Sequence, residues 1–382
     1  MRLKNLLPIA LASLATAQNM SLAQALASQN ATLSTLNSLL AGQPQLLKTL
    51  SSARNITLIA PSNTAFSNFL ADPANKAAAN DSNTLTQVLQ YHVLSGTIAA
   101  SAFTNTQQFI RTMLMGSSSN GTTNATTTLS TVTRGQVVGG MTTGNKVVIM
   151  SGLKQISTVQ TANIMFTGGV MHIVDTVLTV PQPPSNSAVN SSLTSLAGAL
   201  KSTNLLTAID SLKDVTIFAP SNDAFAAISS DTSTLTTQQL AGILKYHVIN
   251  GSVAYSSLIT TSLANQSFPT LSGGSVNVRV EDSKVFVNSA QVTITDILVS
   301  NGVIHVLDNV LNPANTTALP IPMATSQPIA FADVSTSTSR LTASTAAPSV
   351  TASKAGAVRA IESGVGVAGM AALFGMVAVA GL

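Results

Sequence analysis

The chain contains no cysteine. Disulfide staples, thiolate metal sites and thiol nucleophiles are therefore excluded. Tryptophan is also absent, and aromatic residues make up only 4% of the 382 positions. The third shortage is charge: Asp, Glu, Lys and Arg amount to 8%, against roughly 25% in an average soluble protein. The apolar share of 45% is ordinary, so a domain without disulfides can still be held by a core. The surface, however, needs some source of hydration other than charge. The formal net charge of +4 overstates the basic character, because Arg2, Lys4, Arg359 and Glu362 lie in terminal segments read below as removed. No run of clustered Lys and Arg exists, and without one a nucleic-acid partner is excluded.

What the chain does have is repetition. Thr57–Phe66 (TLIAPSNTAF) returns as Thr216–Phe225 (TIFAPSNDAF). Tyr91-His92-Val93 returns as Tyr246-His247-Val248, and Val170–Leu178 (VMHIVDTVL) as Val303–Leu311 (VIHVLDNVL). Three matched blocks in one order mark a tandem duplication of a whole domain.

Hydration is expected from sugar. N-x-S/T sequons stand at Asn19, Asn30, Asn55, Asn80, Asn120, Asn124, Asn190, Asn250, Asn265 and Asn315, and an Asn-linked glycan is bulky and surface-bound. Some sequons are expected by chance in a chain this rich in Asn, Ser and Thr, and Asn55 is the least favourable because it abuts a strand start. Residues 1–17 read as a secretory signal peptide: two early cations, an apolar run too short to span a bilayer, and Ala15-Thr16-Ala17 as the cleavage site. Residues 357–382 read as a glycosylphosphatidylinositol signal, with Gly356 or Ser353 as the attachment residue and an uncharged apolar tail behind. The tail's Gly364, Gly366 and Gly369 fit G-x-G-x-x-G, but no strand precedes them, so no dinucleotide is expected. Residues 314–356, rich in Ser, Thr, Ala and Pro without hydrophobic period, read as a disordered, O-glycosylated stalk.

Within each copy the pattern runs from helix to strand. Leucines recur at helical spacing from Leu22 to Leu50, broken around Gly42-Gln43-Pro44. Ile56–Pro61 is a short apolar strand, after which Ser62-Asn63 caps a helix carrying Phe66. Val215–Pro220, Ser221-Asn222 and Phe225 repeat this arrangement. Leu85, Val88, Leu89 and His92, matched by Leu240, Ile243, Leu244 and His247, put each histidine on the apolar stripe of a helix. The back half of each copy alternates as β-structure, with a turn at Glu281-Asp282-Ser283 and others at Gly168-Gly169 and Asn301-Gly302. Copy one carries an insertion at 116–128. The copies are joined by a proline-rich linker, 181–187, stiff enough to impose a preferred angle.

Candidate chemistry is sparse. The four histidines, His92, His172, His247 and His305, sit at matched positions. A metal would need more ligands. The nearest matched acids, Asp175 and Asp308, follow the strand histidines by three residues and so point to the opposite face. Buried His and Tyr bonded to backbone at a helix end is the favoured reading. No G-x-S-x-G elbow and no paired carboxylates are present, so no enzyme, metal or cofactor is expected.

Together, APSNTAF and APSNDAF, YHVLSG and YHVING, and GGVMHIVDTVL and NGVIHVLDNVL resemble the fasciclin-like domain family. The resemblance covers residues 20–180 and 188–313. It implies an α+β fold of two tandem domains, each a β-sheet wedge with packed helices, and extracellular adhesion rather than catalysis. Pro61, Asn63, Phe66 and His172, with Pro220, Asn222, Phe225 and His305, are the structural motif positions. In some animal members the Tyr-His region and an Asp-Ile pair are proposed integrin contacts. Here these are Tyr91, His92, Tyr246, His247, Asp296 and Ile297, while copy one departs from the pattern with Asn163-Ile164. The absence of Cys and the secretory ends point to a walled organism such as a fungus. Surface or wall glycans and glycoproteins, or a second copy, are then the expected partners. The expected function is weak, multivalent adhesion at the cell surface. The alternative is a structural wall glycoprotein cross-linked to polysaccharide, and a third reading is an enzyme or small-ligand binder using the histidine positions.

Overall fold

The computed structural model describes residues 20–115, 130–229, 235–316 and 318–331. The signal peptide, the anchor signal with Ser353 and Gly356, the sequons at Asn19, Asn120 and Asn124, and the insertion at 116–128 lie outside the described residues.

Domain 1 opens with three helices, α1 (Leu22–Ser28), α2 (Asn30–Ala41) and α3 (Pro44–Ser52). Ser21 and Gln24 form a capping box at the start of α1, which satisfies two backbone donors at once. Gly42 and Gln43 separate α2 from α3, and Pro44 occupies the first turn of α3, where its missing N–H costs nothing. Strand β1 (Ile56–Pro61) follows, buried at every position. Ser62 caps α4 (Asn63–Leu70) by accepting from the Ala65 amide at 3.2 Å. Asp72 and Asp81 cap α5 (Pro73–Asn80) and α6 (Ser82–Tyr91). The remaining strands are β2 (Val93–Ser95), β3 (Gln108–Arg111), β4 (Val137–Thr143), β5 (Lys146–Met150), β6 (Ile156–Phe166) and β7 (Gly169–Val174).

These strands form one seven-stranded sheet in the order β2-β1-β7-β6-β5-β4-β3. Only β1 and β7 run parallel, with Leu58 opposite Met171 and Ala60 opposite Ile173. A parallel pair is normally covered on both faces, and here Leu58, Ala60, Met171 and Ile173 pack against the leucines of α1–α3. Ile59 and Val174 instead join Tyr91, Leu94, Val138 and Ile149 in a second core, as the two-residue period of a strand requires.

Domain 2 repeats the plan with α7 (Pro184–Asn190), α8 (Thr194–Ser202), α9 (Leu206–Asp210), β8 (Val215–Pro220), α10 (Asn222–Ala227), α11 (Thr237–Tyr246) and β9 (Val248–Ile249). After these come α12 (Ser256–Ile259), β10 (Gln266–Pro269), β11 (Ser275–Glu281), β12 (Lys284–Val287), β13 (Ala290–Val299) and β14 (Gly302–Leu307). The sheet order, β10-β11-β12-β13-β14-β8-β9, matches that of domain 1 strand for strand. Asp282 and Ser283 take φ of +50° and +62°, the mirror-image turn that suits a two-residue hairpin. Gly169 and Gly302 begin the central parallel strands, and a Cβ on either would run into the carbonyl oxygen of Ile56 or Val215.

Three segments differ from the sequence expectations. The repeated blocks Val170–Leu178 and Val303–Leu311 are strand only as far as Val174 and Leu307, and beyond these the Leu178 and Leu311 amides are bound by histidine side chains. The linker 181–187 is not a spacer: Pro184 begins α7, and Ser187 and Ala188 are buried in domain 2. The stalk expected from residue 314 does not describe 318–331. Gln327 and Ala330 are buried, and Asn309, Asn312 and Asn315 bond to carbonyls of this segment.

Candidate functional site

The matched histidines are struts rather than an open site. His92 follows α6 as its C-terminal cap, with Nδ1 2.8 Å from the Val88 carbonyl and Nε2 2.9 Å from the Leu178 amide. An amide N–H can only donate, so Nε2 accepts, Nδ1 carries the hydrogen and the ring is neutral. His247 repeats this between the Ile243 carbonyl, at 2.8 Å, and the Leu311 amide, at 2.9 Å. Burial lowers both pKa values from 6.5 to about 4, against a small opposing effect of the carbonyl acceptors. The strand histidines do the same work one layer away. His172 Nε2 donates to the Ile98 carbonyl and Nδ1 accepts from Asn163 N. His305 Nε2 donates to Ala254 O and Nδ1 accepts from Asp296 N.

The tyrosines are equally internal. Tyr91 donates to the Val137 carbonyl at 2.9 Å and Tyr246 to that of Ser275 at 2.7 Å, tying each α6-type helix to the far strands. Tyr91, His92, Tyr246, His247, Asp296 and Ile297 are all buried, none more than 3% exposed. The expectation that these six side chains form a contact surface is corrected accordingly: in this fold no partner reaches them. Phe66 shares a core cluster with Leu89 of α6 and Phe225 one with Ile243 of α11, while Pro61 and Pro220 end β1 and β8 opposite Val174 and Leu307. Asn63 and Asn222 hold the preceding helices by accepting from Thr35 N and Ser195 N.

Asp296 has a different setting from its counterpart. Asn163 and Asp296 occupy the same bulge, with φ of +62° and +60°, and each Oδ1 accepts one amide, from Ala100 or Ser256. Asp296 Oδ2 has no hydrogen-bond partner. Its balancing charge comes from domain 1. Lys154 stands on a turn with φ of +57° and reaches the Thr295 carbonyl at 2.7 Å. Burial pulls the Lys154 pKa down and the Asp296 carboxylate opposes that.

Lys154 belongs to a seam between the domains. Gln136, buried in domain 1, donates to the Val299 and Ser300 carbonyls at 3.1 and 2.9 Å. Thr131 N donates to Ser300 O, and Ser300 N to Gln182 O, each at 2.8 Å. Thr133 bonds Asp214 through both its amide and its hydroxyl. Phe109 stacks on Tyr255 with centroids 4.4 Å apart and planes 16° from parallel. None of these seam residues was singled out in the sequence. Only the Asn163-to-Asp296 difference between the copies hinted at it.

Among the described residues no group of three or more His, Asp or Glu is placed to hold a metal ion, and no helix is long and apolar enough to cross a membrane. The sequons at Asn30, Asn55, Asn80, Asn190, Asn250 and Asn265 are exposed, and Asn315 is half-buried.

The model of the fasciclin domain matches residues 31–181 and again 191–313. The chain belongs to the fasciclin domain family. A fasciclin-like arabinogalactan protein of Arthroderma benhamiae is 33% identical over 301 residues, covering 78% of this chain and 68% of that protein. Another, of Phaeosphaeria nodorum, is 28% identical over 287 residues, covering 75% of this chain and 86% of that one. Among solved structures, the FAS1 domain pair of the insect cell adhesion molecule fasciclin I is 18% identical, with a TM-score of 0.35, covering 74% of this chain and 98% of that one. Both fasciclin domains of the present chain carry their Tyr-His pair inward.

Proposed function

We propose that this protein is a cell-surface glycoprotein that makes weak, multivalent contacts between cells, or between cell and wall, and is not an enzyme. The observation that carries this reading is the seam. Two domains of one fold are locked by Gln136, Lys154, Asp214 and the Phe109–Tyr255 stack, so related surfaces are presented at a fixed spacing. Rigid pairing raises effective concentration without a tight single site. The exposed sequons and the similarity to proteins called arabinogalactan proteins agree with a glycosylated exterior. A leader at 1–17 and a glycosylphosphatidylinositol anchor at Gly356 or Ser353 would deliver the protein to the surface.

A structural wall role is the second reading. It is favoured by the burial of the Tyr-His and Asp-Ile positions, which leaves glycans as the outermost chemistry. Beads coated with the glycosylated chain separate the two. Clustering among coated beads, or on wall polysaccharide, is expected for an adhesin. Dispersed beads at high coating density would leave the structural role.

A further inference from the structure

The duplication assigns each part of domain 1 a counterpart in domain 2, and one pair of counterparts differs in what fills it. In domain 2, residues 318–331 lie in a groove beside α10, α11 and the segment after β14. Ile329 and Phe331 pack with Ala224, Ile228, Ile243 and Val310. Asn309 Nδ2 donates to Gln327 O at 3.3 Å, and Asn312 and Asn315 both donate to Ala330 O at 3.1 Å. By the spacing of the repeats, the four apolar residues correspond to Ala65, Phe69, Val88 and Val177. The three asparagines correspond to Thr176, Thr179 and Gln182. All seven counterparts line a single groove of about 420 Å³ in domain 1. That groove is open among the described residues, and its volume falls within the roughly 300–1,000 Å³ of ligand clefts.

We propose that the domain 1 groove is a docking site for the 327–331 segment of a second copy of this chain. The inference rests on the adhesive reading above and makes it homophilic. Three features select this occupant. First, the related groove already accepts this segment, with an apolar residue on either side of Ala330 and side-chain amides on its carbonyls. Second, the segment 318–331 carries no charge, and the groove's Asp175 is already engaged by Thr158 N, Gln160 and Thr176. An uncharged strand therefore fits without stranding an ion. Third, the segment is held in its own groove by side chains and not by a strand ladder, and Pro320, Pro322 and Pro328 restrict it in isolation, which reduces the ordering entropy lost on transfer. Thr179 reaches less far than the asparagine at the matching position, and the Thr176 hydroxyl already donates to Asp175, so the domain 1 groove binds more weakly. Weak binding suits a contact that acts at surface density. Because groove and segment are unlike surfaces, the contact is head-to-tail and propagates along a row of copies.

The test titrates a labelled synthetic peptide, Ala318–Phe331, onto the full glycosylated chain. Saturable binding at one site is expected. It should weaken at least about ten-fold with Ala78→Trp, which fills the groove from α5. Asn68→Glu, an exposed position on the groove rim, should weaken it too, as should Phe331→Asp in the peptide. Thermal melts of both protein variants should match the parent, which separates lost binding from lost fold. No binding at millimolar peptide, or binding unchanged in both variants, overturns the proposal. Bead clustering that persists undiminished in Ala78→Trp also overturns it while leaving adhesion intact. Peptide binding in the groove without any bead clustering keeps the docking site and removes the adhesive role.

Discussion

Lowering the pH from 7 to 4 is expected to strip stability from each fasciclin domain through one buried histidine. His92 and His247 are neutral, with Nδ1–H on a carbonyl and Nε2 accepting a backbone amide. Protonation would place a second hydrogen on Nε2, facing the N–H of Leu178 or Leu311, inside a core where burial already penalises charge. The folded pKa therefore lies at about 4 instead of 6.5. Above pH 6.5 folded and unfolded chains are both neutral at these rings, and the stabilisation is fully present. Between 6.5 and 4 the unfolded chain binds a proton that the folded chain refuses, so stability falls by about 1.4 kcal/mol per pH unit for each ring. The total is about 3 kcal/mol per histidine, a large part of the roughly 5–15 kcal/mol that holds a typical domain together. His172 and His305 are shifted down as well, chiefly by burial, and act in the same direction.

Urea unfolding at half-unit steps from pH 7.5 to 4 measures this, on the parent and on His92→Gln with His247→Gln. The glutamine chain should be less stable at pH 7 because an amide fits the strut poorly, yet its stability should vary less with pH. Surface carboxylates titrate in both proteins and cancel in the difference. A parent and a double variant with the same pH slope would refute the reasoning. So would imidazole resonances in the folded protein that titrate above pH 6.

Two further outcomes follow from the geometry. Gly302→Ala should cost about 3 kcal/mol or more, read as a fall in melting temperature or in secreted yield, because its Cβ meets the Val215 carbonyl. Gly144→Ala, at a φ of +59° but with open space around it, should cost only about 1 kcal/mol. Lys154→Met should cost about 1–3 kcal/mol by uncovering Asp296. Adding Asp296→Asn should recover much of that, and a double-mutant cycle by chemical unfolding measures the coupling.

Local features were legible in the sequence because their causes are local. Ser62 and Ser221 cap helices where an oxygen acceptor precedes an apolar run, and Pro44 and Gly42 interrupt the leucine helices as their backbone chemistry dictates. The stripe formed by Leu85, Val88 and Leu89 correctly turned His92 inward. That conflicted with the contact role implied by family resemblance, and packing decided for the stripe. The seam was not legible. Lys154 looks like any surface cation, and its partner carbonyl lies 141 residues further on. Gln136 sits in a stretch with no periodic signal, yet it spans to Val299 and Ser300. The covering of domain 2 by 318–331 was hidden by composition, since Pro, Ser and Ala without period read as unfolded. The overlooked sign was Asn309, Asn312 and Asn315, amides every third residue, placed to hold an extended chain.

Two of the differences between the copies bear on what each domain meets. At the β6 and β13 bulges the backbone is the same and the amide acceptor role is the same, so an asparagine would serve in either copy. Domain 2 carries a carboxylate there. Its Oδ2 is buried without a hydrogen bond, and a buried charge stripped of its partner costs several kcal/mol. Such a residue is tolerated only where a cation arrives, and the cation belongs to the other domain. Asp296 therefore ties domain 2 electrostatically to Lys154 of domain 1. The groove follows the same logic in reverse. The tail that fills it in domain 2 has no equivalent in domain 1, where the residues after Val180 are committed instead to α7 of the next domain. Duplication thus left one apolar groove without its internal cover, and one acid in need of an external base. The seam meets the second need within the chain, and the first is open to another molecule.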